Sequence, residues 1–453
     1  MIAARRLQRS FADGLIAEEV KDLWEPWMRH ADEALNDDRL LEIIQAELNK
    51  RCKKSKTRGR PSTPAEVVLR MLLLKHLRGW SYEDVTREVR ANLVYREFTG
   101  VGGGKVPDDK TMGRLARQLG PEAIGQLHRR TVEIALEKQV VAGRRMRVDT
   151  TVVETNIHYP TDSTLMGDGV RVLTRVMKKA AAAAGEGVKF RDRSRSVKRR
   201  ILEIVYAARN KSEKGQEKMK AAYRKLLEAT SRVVGQAKQF SGAITGKAKQ
   251  QLDEIIPRVQ QAMQQARARV LGGNTRADNK ILSMFEPDTE VIRKGKASKP
   301  TEFGKMVKIQ EAENQIVTHF EVFNRRPSDS DLLTPSIEKH KELLDRVPDL
   351  VAADAGFFSA ANEAAARQLG VKQVAIPSRS TKSEKRKQEQ KKPWFKKAQK
   401  WRTGCEGRIS VLKRRHGLNR SRYKGTQGMN RWVGLGVMAD NMMNIGIHLA
   451  SRR

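Results

Sequence analysis

Cysteine is nearly absent from this chain: Cys52 and Cys405 are the only two in 453 residues. That scarcity excludes a disulfide framework and a cysteine-based zinc site, and it fits a reducing, cytosolic compartment. Long apolar runs are missing as well. No stretch approaches the roughly 20 apolar residues that span a bilayer, and the opening MIAARRLQRSFADGL lacks the apolar segment of a signal peptide. Aromatic residues make up only 5%, and Pro257 is the only proline between 162 and 271, so little interrupts a helix there. Acidic residues are in deficit, 53 against 90 Lys and Arg, for a formal charge of +37 spread over the whole length. Such a chain needs a polyanionic partner. DNA or RNA is the natural one, because each neutralised phosphate releases condensed counterions.

Against this basic background, acidic residues in apolar surroundings stand out. Residues 144–155, RRMRVDTTVVET, are rich in β-branched side chains and read as a strand with Asp149 at its centre. Burying a carboxylate there is costly unless a metal or cation compensates it. Taken alone, the strand also admits a strand-end Asp hydrogen-bonded to a loop. Far downstream, DLVAADAGFF ends a short apolar strand in Asp354, followed by a helix (359–369) and another strand (371–376). This β-α-β unit sets a carboxylate at the carboxyl edge, where open α/β sheets bind ligands. A turn-forming or capping Asp354 ahead of Gly356 is the alternative.

The rest of the chain is mostly helical. Residues 12–50 have helical spacing and run into a basic segment, 50–61. Its RGRP, with Arg58 and Arg60, resembles the core of an AT-hook, or else forms a solvated basic linker. Thr63, Pro64 and Glu66 have the order of a capped helix start. Helices from there, from Ser81 and from Asp108 or Asp109 suggest a helix-turn-helix-like DNA-binding region with Arg114 and Arg117 outward, or a helical dimerisation region. Met219, Tyr223, Leu226, Thr230, Val233, Ala237 and Phe240 recur at alternating spacings of four and three. After a break at 241–246 the pattern continues through Leu252, Ile255 and Val259, which predicts an antiparallel helical hairpin inserted into a domain. Strands follow at 306–310 and 315–323, and a helix at 334–346. In the basic segment 378–402, Trp394, Phe395 and Trp401 either stack on bases or anchor a loop. A helix over 405–415 carries Glu406, Arg408, Lys413, Arg414 and Arg415, and the last apolar stretch closes the core.

Asp149 on an early strand, Asp354 at the end of a later one and Glu406 on a helix, set in positive charge, together resemble the DDE transposases of bacterial insertion sequences. The likeness extends over GRPSTPAE, VPDDKT, VDTTVVET, VAADAGF and the C-terminal helix. Its most specific part is Arg402-x3-Glu406-x6-Lys413. One position departs: Gln399 stands where the family pattern usually has Tyr.

The resemblance implies an α/β fold with an RNase H-like mixed sheet and flanking helices (141–160 and 275–453), an N-terminal helical region (1–140) and a helical insertion (161–274). It implies metal-dependent cleavage at the 3′ ends of the element and strand transfer into target DNA. Two hard divalent cations, Mg²⁺ with Mn²⁺ as substitute, suit carboxylate oxygens; Asp149 would bridge both, and Asp354 and Glu406 would each hold one. Arg402 and Lys413 would clamp phosphates or terminal bases, with Trp401, Arg408 and Arg414 on the same surface. Double-stranded DNA, both transposon ends and target, is the expected partner, with a homodimer or larger synaptic assembly as the working form, in the cytoplasm at the nucleoid and with no membrane. The rival is a non-catalytic DNA-binding protein, a decayed transposase acting at terminal repeats. Glu154, Asp162, Asp168 and His158 read as turn, capping or structural residues.

Overall fold

The structure, a computed structural model, describes residues 2–5, 11–50, 62–184, 190–274, 280–293 and 300–452. Arg58 and Arg60, and with them the AT-hook reading, lie outside the described residues. Contacts divide the chain into two units, Met1–Thr155 with Val291–Arg453, and Asn156–Glu290. The helices expected to form a separate N-terminal region therefore share one unit with the sheet.

Six strands build that sheet: β1 (Arg145–Glu154), β2 (Glu290–Ile292), β3 (Glu302–Glu311), β4 (Val317–Val322), β5 (Leu350–Ala352) and β6 (Gln373–Ala375). Their order is β2-β3-β1-β5-β6, with β4 pairing β3. β1 is antiparallel to β3 and parallel to β5, and β5 is parallel to β6. A central strand is buried on both faces, which is why β1 is a run of β-branched residues rather than an alternation. Met146 and Val148 pack with Ile337, Val351 and Phe357 on one face. On the other, Val153 packs with Ile309, Leu412 and Val433, and Ala352 and Ala375 pack with Phe395 and Ala398. Arg147 and Asp149 alternate onto this second face, beneath the helix Pro393–Arg415.

That helix corrects two expectations. The segment 378–402 is a loop only as far as Ser383: the helix Glu384–Lys391 follows, the chain from Pro393 is continuous with the Glu406 helix, and Phe395 is buried in the core. Arg408, expected at DNA, is 8% exposed and donates to both oxygens of Asp440 at 2.7 and 2.9 Å and to Gln315 at 2.7 Å. Asp440 sits on the closing helix Gly425–Ala450, where His416 Nε2 also approaches it at 3.2 Å. The polar interruptions in that apolar stretch are thus internal fasteners. Asn441 likewise pairs with both the N–H and the carbonyl of Val317 at 2.8 Å.

In the N-terminal part, the capping box at Thr63 does not form. Pro64 is the N-cap of Ala65–Arg78, and the first donors are satisfied elsewhere, Ala65 N by Ala3 O (2.9 Å) and Glu66 N by Ala4 O (3.0 Å). Glu66 instead meets Arg70, a buried guanidinium that also reaches Asp32, Asn36 and the Phe98 carbonyl. The helix from Ser81 has the capping box, with Asp84, but breaks at Asn92, which caps a second short helix Leu93–Phe98. Arg114 and Arg117 are exposed as expected.

The second unit contains the expected hairpin, Glu213–Gly242 and Gly246–Ala266, as half of a larger bundle. Helices Asp162–Ala184 and Ser194–Ala207 complete it, burying Leu165, Leu173 and Ile204 with Leu226, Phe240 and Val259. Asp162 is buried here and meets Arg269 (3.1 Å) and Gln265 (2.8 Å), while Asp168 pairs with Arg171 and His158.

Two outcomes follow. Asp440→Ala strands the buried Arg408 and should cost about 3–5 kcal/mol, read by urea unfolding. Two desolvated imidazoles, buried His128 and half-buried His319, give the stability an acid limb. His128, whose Nε2–H donates to Val317 O at 2.9 Å, is held by burial at about 4, and His319 by burial and then Lys308 at about 3. Unfolded His titrates near 6.5. Between about 6.5 and 4 only the unfolded chain takes up these protons, so stability is intact above that window and falls with pH through it. His128→Gln and His319→Gln should each flatten the wild-type slope across that range.

Candidate active site

β1 and β5 are parallel neighbours in a register that sets Arg145 opposite Leu350 and Arg147 opposite Ala352. Two residues further along each lie Asp149 and Asp354, so the two carboxylates stand at the same level, at the carboxyl end of β5. Asp149, between buried Val148 and Thr150, is partly exposed. Asp354 leaves β5 as the N-cap of a single turn, Ala355–Phe357, its Oδ1 accepting from Gly356 N at 2.9 Å. The capping role and the edge position belong to the same residue.

Glu406 comes to this place on the helix Pro393–Arg415. Arg402, one turn earlier, donates through Nη2 to Glu406 Oε1 at 2.9 Å, and its Nη1 lies 4.0 Å from Asp149 Oδ2. A largely buried guanidinium thus stands between two of the three carboxylates, with Glu406 itself 60% exposed. As they stand, no three His, Cys, Asp or Glu groups among the described residues converge closely enough to hold a metal.

Beneath the carboxylates, Arg147 fixes the helix to the strand. Its Nε donates to Glu311 Oε2 at 2.9 Å, its Nη2 to the other oxygen, and its Nη1 to the Trp401 carbonyl, while its guanidinium lies 4.7 Å from the Trp401 ring centre. Burial raises the Glu311 pKa, and the Arg147 charge opposes that rise. Gln399, at the departing position of the family pattern, has a structural task. Its amide donates to the carbonyls of Ala353 (3.3 Å) and Ala375, gripping the ends of β5 and β6. The Cys405 thiol is buried, and burial followed by Glu311 and Asp149 pushes its pKa well up, so it is no nucleophile.

One acidic residue escaped the sequence reading. Asp329 accepts from Thr150 Oγ1 at 3.0 Å, and a Cβ on Gly356 would stand 3.2 Å from its Oδ2 and 3.1 Å from Asp354 Oδ1. It therefore lies beside the Asp354 turn. The only hint was the SDSD run at 328–331, set several residues beyond the strand read at 315–323. Of the other expected DNA contacts, Arg414 is exposed, Lys413 lies 3.9 Å from Glu302, and Trp401 is half-buried against Arg147. Arg408 is turned inward.

Residues 27–118 match the Transposase domain (DUF772) family, and residues 361–445 match the Transposase DDE domain family. The second match includes Arg402, Glu406 and Lys413 and starts beyond Asp354. The chain is similar to an uncharacterized protein, ORF8 in the nfe locus of Rhizobium meliloti, with 31% identity over 127 residues, 27% of this chain and 61% of that protein. No solved structure matches. No helix among the described residues is long and apolar enough to cross a membrane. The two family matches, one over the N-terminal helices and one over the Glu406 helix, support this chain as an insertion-sequence DDE transposase.

Proposed function

We propose that the protein cuts DNA at the ends of a mobile element and joins them to target DNA, with Asp149, Asp354 and Glu406 as the reaction centre of an RNase H-like sheet. The observation that carries this reading is the shared level of Asp149 and Asp354 on adjacent parallel strands, with Glu406 tied toward Asp149 through Arg402. A central strand with an antiparallel hairpin on one side and two short parallel strands on the other supports the fold assignment.

Divalent cations, which the family generally uses, supply an activated water and neutralise the leaving 3′-oxygen when bound. The donor set fits them: three carboxylates, with no thiolate and no imidazole pair, is oxygen chemistry suited to Mg²⁺ or Mn²⁺. Asp149 would serve as the shared ligand, with Asp354 and Glu406 on either side. The chain's own work is positional. Arg402 holds Glu406 over the strand edge, and its guanidinium, with Asp149 Oδ2 4.0 Å away, has the planar fork that would grip a phosphate in bidentate fashion. Lys413 and Arg414, further along the same helix, follow the DNA backbone. In strand transfer the terminal 3′-hydroxyl attacks a target phosphodiester; one P–O bond forms as one breaks, so no ATP is needed. Two ends must be handled together, and two or more copies of the chain form the working assembly on double-stranded DNA.

The test is Mg²⁺- or Mn²⁺-dependent cutting of a labelled duplex bearing the element's terminal sequence. Asp149→Asn, Asp354→Asn and Glu406→Gln should each retain DNA binding and lose cutting by more than the ~10–100-fold that removal of an outer-shell metal partner costs. A wild type that binds and never cuts, or variants that cut as well as it does, would leave a non-catalytic terminal-repeat binder in its place.

A further inference from the structure

A cavity of about 420 Å³ opens between the helices Ala65–Arg78, Asp109–Ala116 and Gly425–Ala450. That volume is within the roughly 300–1,000 Å³ of small-ligand pockets. Lys75 reaches into it from a helix that is otherwise core, and the residue is only 3% exposed. Its ammonium lies 4.6 Å from the ring centre of Trp432, 5.1 Å from that of Tyr82 and 5.5 Å from that of Tyr423. Among the described residues no carboxylate pairs with it. Arg117, Arg422, Lys424 and Arg431 complete the cationic lining, and none of the lining residues is acidic.

Burying this ammonium is costly in itself. A desolvated ammonium is destabilising without an anion, and burial, followed by the charge of Arg422, lowers the Lys75 pKa to about 7. The polar groups beside it are already engaged. The Tyr82 and Tyr423 hydroxyls are bonded to each other, and Arg431 is committed to the carbonyls of Ala116 and Leu119 at 3.0 and 3.1 Å. His76, beside Lys75 and wholly buried, has its pKa held well down by burial and then by Lys75. Ring faces beside clustered cations, open to exposed Arg117 and Arg422, combine a stacking surface with a phosphate grip.

We propose that this cavity binds one unpaired nucleotide of DNA, its phosphate on Lys75, Arg117 and Arg422 and its base against the Tyr82, Tyr423 and Trp432 wall. The proposal rests on the reading of this chain as a DNA-handling protein, and it adds a second contact at a frayed end, apart from the three carboxylates. A free mononucleotide offers the same chemistry.

The full chain, in EDTA so that no cutting occurs, is titrated by fluorescence anisotropy against a blunt labelled duplex and the same duplex with one unpaired terminal nucleotide. dAMP serves as competitor. Wild type should prefer the unpaired end about tenfold, the scale of one stacked base. Lys75→Met and Arg422→Gln should abolish that preference and leave blunt-duplex affinity unchanged. Lys75→Met should also melt no lower than wild type, because it removes a desolvated charge, so loss of binding cannot be ascribed to misfolding. Competition by dAMP that Lys75→Met abolishes, without a preference between duplexes, assigns the cavity to free nucleotide. No preference and no competition in wild type, or variants that behave as wild type, overturns the proposal. Asp149→Asn should keep the preference in full, so a failure of the cutting assay and a failure here are read separately.

Discussion

The candidate site depends on one buried ion pair, Arg147 with Glu311. Both residues lie on neighbouring strands at a register that sets them directly opposite, and both are almost wholly buried. Burying two charges is repaid only when their remaining hydrogen-bonding capacity is used. Arg147 uses its third nitrogen on the Trp401 carbonyl and its flat face on the Trp401 ring. The pair thereby fixes the height and rotation of the helix Pro393–Arg415 over β1, and with it the reach of Arg402 and Glu406. Gly404 marks how close the approach is, since a Cβ there would collide with the Arg147 guanidinium.

The same economy recurs where the chain is most charged. Arg70, Arg130 and Arg408 are each buried among several acceptors, with Asp32 and Glu66, with Asp37 and Glu137, and with Asp440. Part of the large positive charge is therefore internal structure and is unavailable to DNA. Lys75 is the contrasting case, a buried amine whose charge meets aromatic rings and, among the described residues, no carboxylate.

Much of this was legible in the sequence. β1 and β5 were readable because buried strands are short β-branched or apolar runs, and Asp149 and Asp354 interrupt them. The seam from Tyr223 to Phe240 was readable because a helix repeats its buried face every three to four residues. What failed did so for tertiary reasons. Thr63 has every local mark of an N-cap, yet the carbonyls of Ala3 and Ala4, sixty residues away, satisfy the same donors. Arg408 looks like its neighbours Lys413 and Arg414 along the helix, and only the position of Asp440 on another helix turns it inward. The two helices that complete the bundle of the second unit carry no seam as regular as the hairpin's. Asp329 lies on a short 3₁₀ turn, where no periodicity marks a functional face.

The central claim is that Asp149, Asp354 and Glu406 act as one centre although Arg402 now stands between two of them. The most direct measurement is Mn²⁺ binding to the full chain, followed by electron paramagnetic resonance with and without end duplex, for wild type and for Asp149→Asn, Asp354→Asn and Glu406→Gln. The account predicts that each single substitution weakens Mn²⁺ binding and that Asp149→Asn, at the shared ligand, weakens it most. Binding that all three variants leave unchanged would contradict it.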